Sequence, residues 1–243
     1  MKNLKTAPLA GVPSPQDLGL YIDHTLLRPD ATEADIAAFC QEAVELKTRT
    51  VCLNSSWISF ALKKLAEYSK KSPEVQTVPI AVVGFPLGTC LTEAKAQETR
   101  LAVQAGAAEI DMVIHVGRLK ANQEKEGIAD IEAVVKAAHP AAVKVILETG
   151  SLTDDEIRRG CQWSEKAGAA FVKTSTGFGA AGATERAVRI MRETVGDRLG
   201  VKASGGIRTY DDAAKMIKAG ANRIGASATR AILGAGPVVK TEY

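Results

Sequence analysis

Phe171-Val-Lys-Thr-Ser-Thr-Gly177 and Gly200-Val-Lys-Ala-Ser-Gly-Gly206 each read as a short apolar strand that ends in a lysine and runs into a glycine-rich turn. An ammonium head inside an apolar strand is costly to desolvate unless chemistry requires it there. Brought to about 5 Å at an effective dielectric near 20, two such heads repel by roughly 3 kcal/mol, which lowers one lysine's pKa by about two units. A lysine driven toward neutrality is an amine nucleophile, and its natural targets are carbonyls.

Outward from these two runs, short apolar segments alternate with stretches of helical periodicity from near Tyr21 almost to the end. Strands are predicted over 21–26, 50–53, 78–83, 109–114, 143–148, 170–174, 200–203 and 223–226, roughly eight in all. Between them, Thr32, Thr92, Thr153, Thr184 and Thr209, each followed by first-turn acids, predict helix starts. Ala-Gly-Ala at 105–107, 167–169 and 219–221 predicts helix ends. An open doubly wound sheet is the rival, but it usually carries a glycine fingerprint after its first strand, and Asp23-His24-Thr25-Leu26-Leu27 has none. The reading is therefore α/β, a single (β/α)8 TIM barrel over 16–243 with a short N-terminal extension, residues 1–15, whose prolines and small residues suit a flexible arm.

The chain of 243 residues, 46% hydrophobic and 24% charged, suits one such domain, and its net charge of +3 is dispersed rather than gathered for nucleic acid. Cys40, Cys52, Cys90 and Cys161 are scattered without metal-ligand spacing, which reads as reduced thiols, and neither they nor His24, His115 and His139 suggest a metal. No apolar run has signal-peptide or membrane-span character, so a cytoplasmic protein that needs no membrane is expected. Neither a G-x-S-x-G elbow nor a Walker motif is present, which weakens hydrolase and nucleotide-triphosphate readings.

Strand alternation predicts which side chains share the bore. If Lys173 points inward so do Phe171 and Ser175, and the same parity groups Lys202 with Ser204, Lys144 with Ile146 and Glu148, Asp111 with Glu109, Cys52 with Asn54, and Asp23 with Tyr21 and Thr25. The plain alternative is that these lysines are surface residues, as most of the 31 Lys and Arg must be, and that Asp111 merely neutralises one of them. A carboxylate beside an amine can also relay protons through carbinolamine formation and collapse. Three turns, Thr176-Gly177, Ser204-Gly205-Gly206 and Gly225-Ala226-Ser227, fall after the last three strands, where barrels hold phosphate. Cys52 reads as a small apolar filler near the pocket.

Taken together, F-V-K-T-S-T-G-F, V-K-A-S-G-G-I-R, E-I-D-M-V-I, V-K-V-I-L-E-T-G and I-G-A-S closely resemble the deoxyribose-phosphate aldolases, class I aldolases with a barrel fold, over about 21–243. The resemblance implies reversible cleavage of 2-deoxy-D-ribose 5-phosphate to D-glyceraldehyde 3-phosphate and acetaldehyde in deoxyribose phosphate catabolism, through a lysine Schiff base and without a cofactor. It implies that Lys173 forms the imine, Lys202 lowers its pKa, and Asp111 is the acid/base partner. Gly177, Gly205, Gly206 and Ser227 are implied to hold phosphate, and Asp23, Thr25, Cys52 and Lys144 to line the pocket. It further implies a homodimer and a terminal Tyr243 that assists proton exchange. Phe178 and Ala228 stand where some relatives carry a lysine and a second serine, which would weaken or redistribute phosphate affinity. A transaldolase-like transferase, a sugar-phosphate isomerase and a non-catalytic sugar-phosphate sensor are the competing readings.

Overall fold

The computed structural model describes residues 7–236. Among them, eight strands pair in chain order and close on themselves: β1 (Ile22–Leu26), β2 (Thr50–Asn54), β3 (Val78–Val83), β4 (Glu109–Val113), β5 (Ala142–Ile146), β6 (Phe171–Lys173), β7 (Gly200–Ser204) and β8 (Arg223–Ala226). Every pairing is parallel, β8 onto β1 included. The expected barrel is the observed fold, and each strand lies within two residues of its predicted bounds. Helices α1 (Pro15–Leu18) and α2 (Glu33–Glu45) flank β1, and α3 (Ile58–Tyr68) and α4 (Thr92–Gln104) follow β2 and β3. After β4 come α5 (Val116–Lys120) and α6 (Glu124–Ala138), and α7 (Asp154–Lys166), α8 (Glu185–Val195), α9 (Tyr210–Lys218) and α10 (Thr229–Ile232) follow the last four strands.

Local chemistry explains the helix boundaries. Thr32, Thr153 and Thr209 form capping boxes with Asp35, Glu156 and Asp212, and Thr184 accepts the Ala187 N–H, so four orphan helix termini find side-chain partners. Gly106, Gly168 and Gly220 take φ of +107°, +79° and +117° at the predicted Ala-Gly-Ala stops, a backbone region closed to most residues. Thr92 departs from expectation. It is the first residue of α4 rather than its cap, and its hydroxyl donates to Asp130 Oδ1 at 2.8 Å.

The reason lies in a second buried charge site. Lys95 Nζ on α4 stands 2.6 Å from Asp130 Oδ2 on α6 and donates to Val113 O at 3.1 Å, with both side chains essentially sealed from solvent. A buried ion pair holds only when its remaining lone pairs are satisfied, and Thr92 supplies that hydrogen bond.

Outward-facing strand residues such as Val51, Ile110, Val145, Val172, Val201 and Ile224 are fully buried against the helix ring. Inside the bore, Leu27, Cys52, Ile80 and Val82 make a separate apolar wall with Phe85 packed on it. The segment expected as an arm runs along the barrel from Ala7: Asn222 Nδ2 donates to Ala7 O at 3.0 Å, and Tyr210 OH donates to Pro13 O at 2.9 Å. Residues 1–6 of that extension, and the terminal Tyr243, lie outside the described residues. Among the described residues, no helix is long and apolar enough to cross a membrane.

Truncating one partner of the Lys95–Asp130 pair strands the other as a buried charge. The expected outcome for Lys95→Met is a loss of about 3–5 kcal/mol, read as a lower denaturant midpoint, with part of it recovered in Lys95→Met/Asp130→Leu.

Candidate active site

Register brings the two lysines of the opening sequence together. Lys173 and Lys202 are direct partners across β6 and β7, and Asp111 pairs with Lys144 across β4 and β5. Lys173 Nζ lies 2.9 Å and Lys202 Nζ 2.7 Å from the same atom, Asp111 Oδ2, so the two nitrogens are separated by no more than those lengths end to end, about 5.6 Å. Asp111 Oδ1 faces the third lysine, with Lys144 Nζ at 2.7 Å.

A lower tier of charges braces this cluster. Lys144 Nζ stands 2.6 Å from Glu109 Oε2 and 3.6 Å from Asp23 Oδ2. Asp23 Oδ2 meets Lys202 Nζ at 2.5 Å, while Asp23 Oδ1 takes Arg223 Nη1 at 2.7 Å and the Thr50 hydroxyl at 2.8 Å. Arg223 also reaches Glu109 at 3.2 Å and lies 5.3 Å over the Phe171 ring. Sequence reasoning did not select Arg223, although it shares the inward parity of Gly225. Glu109 was grouped with Asp111 by parity but given no part. The available signal is a charged residue opening each of two strands, Arg223 in β8 and Glu109 two residues before Asp111 in β4.

Small residues make the packing feasible. A Cβ on Gly225 would stand 2.9 Å from Lys202 Cε, so this glycine, read from sequence as part of a phosphate turn, leaves room for the second lysine. A Cβ on Gly200 would fall 2.0 Å from the Phe171 ring in the same way.

Burial is the first cause of every large shift in the cluster. For Lys173 it pushes the amine below the ordinary lysine range; Asp111 pulls it back up, and Lys202 pushes it down again. The second lysine, expected as the main depressant, ranks behind both. Burial would also lower Lys202 and Lys144, but Asp111 and its companion acids, Asp23 for Lys202, Glu109 and Asp23 for Lys144, hold both above the usual range. Burial would raise Asp111 and Asp23, yet the surrounding cations hold both well below the carboxylate range.

Charge counting reaches the same end. Asp23, Glu109 and Asp111 balance three of Lys144, Lys173, Lys202 and Arg223. Lys173, with a single acid partner shared through an already occupied oxygen, is the one left over. A neutral amine in a buried pocket beside a protonated lysine can attack a carbonyl and pass protons to its neighbour.

Other expected residues sit around this centre with different partners. The Thr25 hydroxyl donates to Asp23 O at 2.9 Å. Cys52 is fully buried, and burial raises its thiol, so it stays protonated. Burial pushes His24 down to about 3; its ring faces the helices, stacked on Phe39 at 3.7 Å. Gly177, Gly205 and Gly206 have φ of +88°, +90° and +79°, and Gly206 has open space around its Cβ position. Ser204 N–H donates to Thr174 Oγ1 at 3.0 Å, which ties the end of β7 to the end of β6, and Ser227 is half-buried after β8. Thr176 gives both its N–H and its hydroxyl proton to Glu148 Oε2 rather than to the open rim.

The chain's likeness to known proteins agrees with this geometry. Residues 18–235 match the DeoC/LacD family aldolases. Deoxyribose-phosphate aldolase 1 of Cutibacterium acnes is 54% identical over 216 residues, 89% of this chain and 96% of that protein. The deoxyribose-phosphate aldolase of Streptococcus sanguinis is 52% identical over 89% of this chain and 95% of its own length. Among solved structures, a putative deoxyribose-phosphate aldolase from Coccidioides immitis superposes with a TM-score of 0.87 at 39% identity, covering 97% of this chain and 91% of that one. The tetrameric deoxyribose phosphate aldolase of Aeropyrum pernix does so with a TM-score of 0.80 at 35% identity, covering 91% and 92%. An amine with a lowered pKa at the C-terminal end of a barrel strand is what carbon–carbon lyase chemistry by imine formation needs, and the chain belongs to the DeoC/LacD family of aldolases.

Proposed function

We propose that the chain reversibly cleaves 2-deoxy-D-ribose 5-phosphate to D-glyceraldehyde 3-phosphate and acetaldehyde, with Lys173 as the Schiff-base nucleophile. The observation that carries this reading is the Asp111 oxygen shared by Lys173, whose pKa is lowered, and Lys202, whose pKa is raised.

The neutral Nζ of Lys173 attacks C1 of the open-chain aldehyde, and the carbinolamine oxygen takes a proton from the Asp111–Lys202 pair and leaves as water, giving an iminium. The C3 hydroxyl then loses its proton to the Asp111–Lys202 pair, which gave one up in the preceding step. As C3–O becomes a carbonyl, the C2–C3 electrons move into the iminium and leave an enamine on Lys173. D-glyceraldehyde 3-phosphate departs, the enamine is protonated at C2, and water releases acetaldehyde and the free amine. The protonated imine itself is the electron sink.

Gly177, Gly205, Gly206 and Ser227 are proposed to hold the 5-phosphate, a role supported by their place after the last three strands and by the open rim at Gly206. Asp23, Thr25, Cys52 and Lys144 complete the pocket or its base, Thr176 shapes the rim, and Tyr243 serves proton exchange. We further infer that residues 16–243 form the catalytic domain behind the 1–15 extension, and that the protein works in the cytoplasm as a homodimer; the Aeropyrum pernix relative is a tetramer.

Two outcomes test the assignment. Borohydride should fix an ethyl group on Lys173 with acetaldehyde, and an ethyl or sugar-phosphate chain with 2-deoxyribose 5-phosphate, seen by peptide mass spectrometry; Lys173→Ala should lose the adduct and at least about a thousandfold in turnover. Insensitivity to borohydride with product still formed would favour an isomerase, and acetaldehyde release that a chelator abolishes would refute the imine route. The pH profile tests the electrostatics. Lys173 reacts only when deprotonated, so kcat/KM falls as pH drops through its lowered pKa. Asp111 holds that pKa up, so Asp111→Asn should move the acid limb of borohydride trapping to lower pH while slowing turnover. An unmoved or raised acid limb contradicts it.

A further inference from the structure

We propose that Glu148 is a positioning residue for phosphate recognition, acting through Thr176 on the β6–α8 loop without touching substrate. The inference rests on the phosphate reading given above and extends it to a residue outside the lysine cluster.

Glu148 follows β5 and holds φ at +60°, a left-handed conformation unusual for a glutamate. Such a conformation persists where the surroundings over-determine it, and it concentrates at functional sites. The chain on both sides is fastened to the end of β6: Leu147 N–H donates to Lys173 O and Thr149 N–H to Thr174 O, each at 2.9 Å. Between those two ties the carboxylate sits over the β6–α8 loop.

There, Glu148 Oε2 accepts the Thr176 hydroxyl and the Thr176 N–H, the latter at 3.3 Å. With its proton committed to Glu148, Thr176 Oγ1 accepts the Phe178 N–H at 3.0 Å. Phe178 in turn meets Phe85 edge-on, with ring centres 5.2 Å apart, and Phe85 packs on the apolar bore wall. Glycine 179 lies so close that a Cβ there would stand 3.1 Å from the carboxylate carbon. One carboxylate oxygen thus fixes the loop from Thr176 to Gly179, and the Phe178 ring on it rests against Phe85.

The other oxygen, Oε1, is buried with no hydrogen-bond partner among the described residues. Burying a carboxylate oxygen unpartnered is costly, and doing so beside a site for a dianion also adds repulsion. An arrangement that bears both costs is explained if the carboxylate's task is to hold the loop, so that Gly177 and its neighbours meet the phosphate preformed. Preformed donors bind an anion more tightly than donors that must first be ordered.

The test compares kcat and KM for 2-deoxyribose 5-phosphate and for unphosphorylated 2-deoxyribose, with inorganic phosphate binding measured by calorimetry, in wild type, Glu148→Ala and Glu148→Gln. Glu148→Ala should raise KM for the 5-phosphate substrate by about tenfold to a hundredfold with a smaller change in kcat, and leave 2-deoxyribose within about twofold. Glu148→Gln, whose amide oxygen can accept both Thr176 donors, should stay within about threefold of wild type on both substrates. Phosphate affinity should follow the same order. Equal losses on both sugars would show a merely structural role, and a Glu148→Gln variant as impaired as Glu148→Ala would overturn the hydrogen-bond relay. If wild type releases no acetaldehyde from the 5-phosphate, the proposed function fails, and phosphate calorimetry still decides the fate of the loop assignment.

Discussion

One carboxylate oxygen, Asp111 Oδ2, organises the charge cluster in the bore. Two ammonium-bearing side chains converge on it from adjacent strands, and the second oxygen of the same carboxylate is already held by Lys144. A single anion cannot stabilise three buried cations. The shortage falls on the amine with the fewest alternatives, because Lys202 has Asp23 and Lys144 has Glu109 and Asp23 in reserve. Lys173 has only the shared oxygen.

Arg223 makes that shortage firm. A guanidinium does not give up its proton in a protein, so it claims Asp23 and Glu109 as a permanent cation from below. A lysine in its place could itself lose a proton and relieve the cluster, leaving Lys173 charged. The base of the bore thus constrains the rim through a chain of shared carboxylates, each residue of which is fixed by strand register and by glycines that leave room for the long side chains.

Much of this was legible in the sequence, for identifiable reasons. Strand period and helix caps are local, so the eight strands and four of five threonine caps emerged with their boundaries nearly right, and inward parity grouped Lys144, Lys173, Lys202, Asp111 and Asp23 before any coordinates. What escaped depends on contacts between distant segments. Thr92 resembles a cap until Asp130, on α6, takes its hydroxyl. Gly225 resembles a phosphate turn until Lys202 fills the space a Cβ would need. Arg223 looks like a strand-edge arginine until Asp23 and Glu109, from β1 and β4, converge on it. Glu148 followed the inward parity of β5, but no periodicity foretells the left-handed kink that turns it onto the next loop.

The largest revision concerns why the Lys173 pKa is lowered. Repulsion between two lysines was the sequence-level argument, yet burial comes first, with the Lys202 charge assisting it and Asp111 opposing both. Desolvation needs a dry environment, and that is supplied by residues with no polar atom to offer: Ile80, Val82 and Leu27, joined by Cys52 and roofed by Phe85. One side of the bore is therefore charged and another apolar. The charged side decides which lysine is left short of acid partners, and burial lowers that lysine's pKa. A polar substitution at Ile80 or Val82 would admit water and raise the Lys173 pKa without changing any of the charges around it. The lowered pKa of Lys173 thus owes as much to the residues that exclude water as to the charges that surround it.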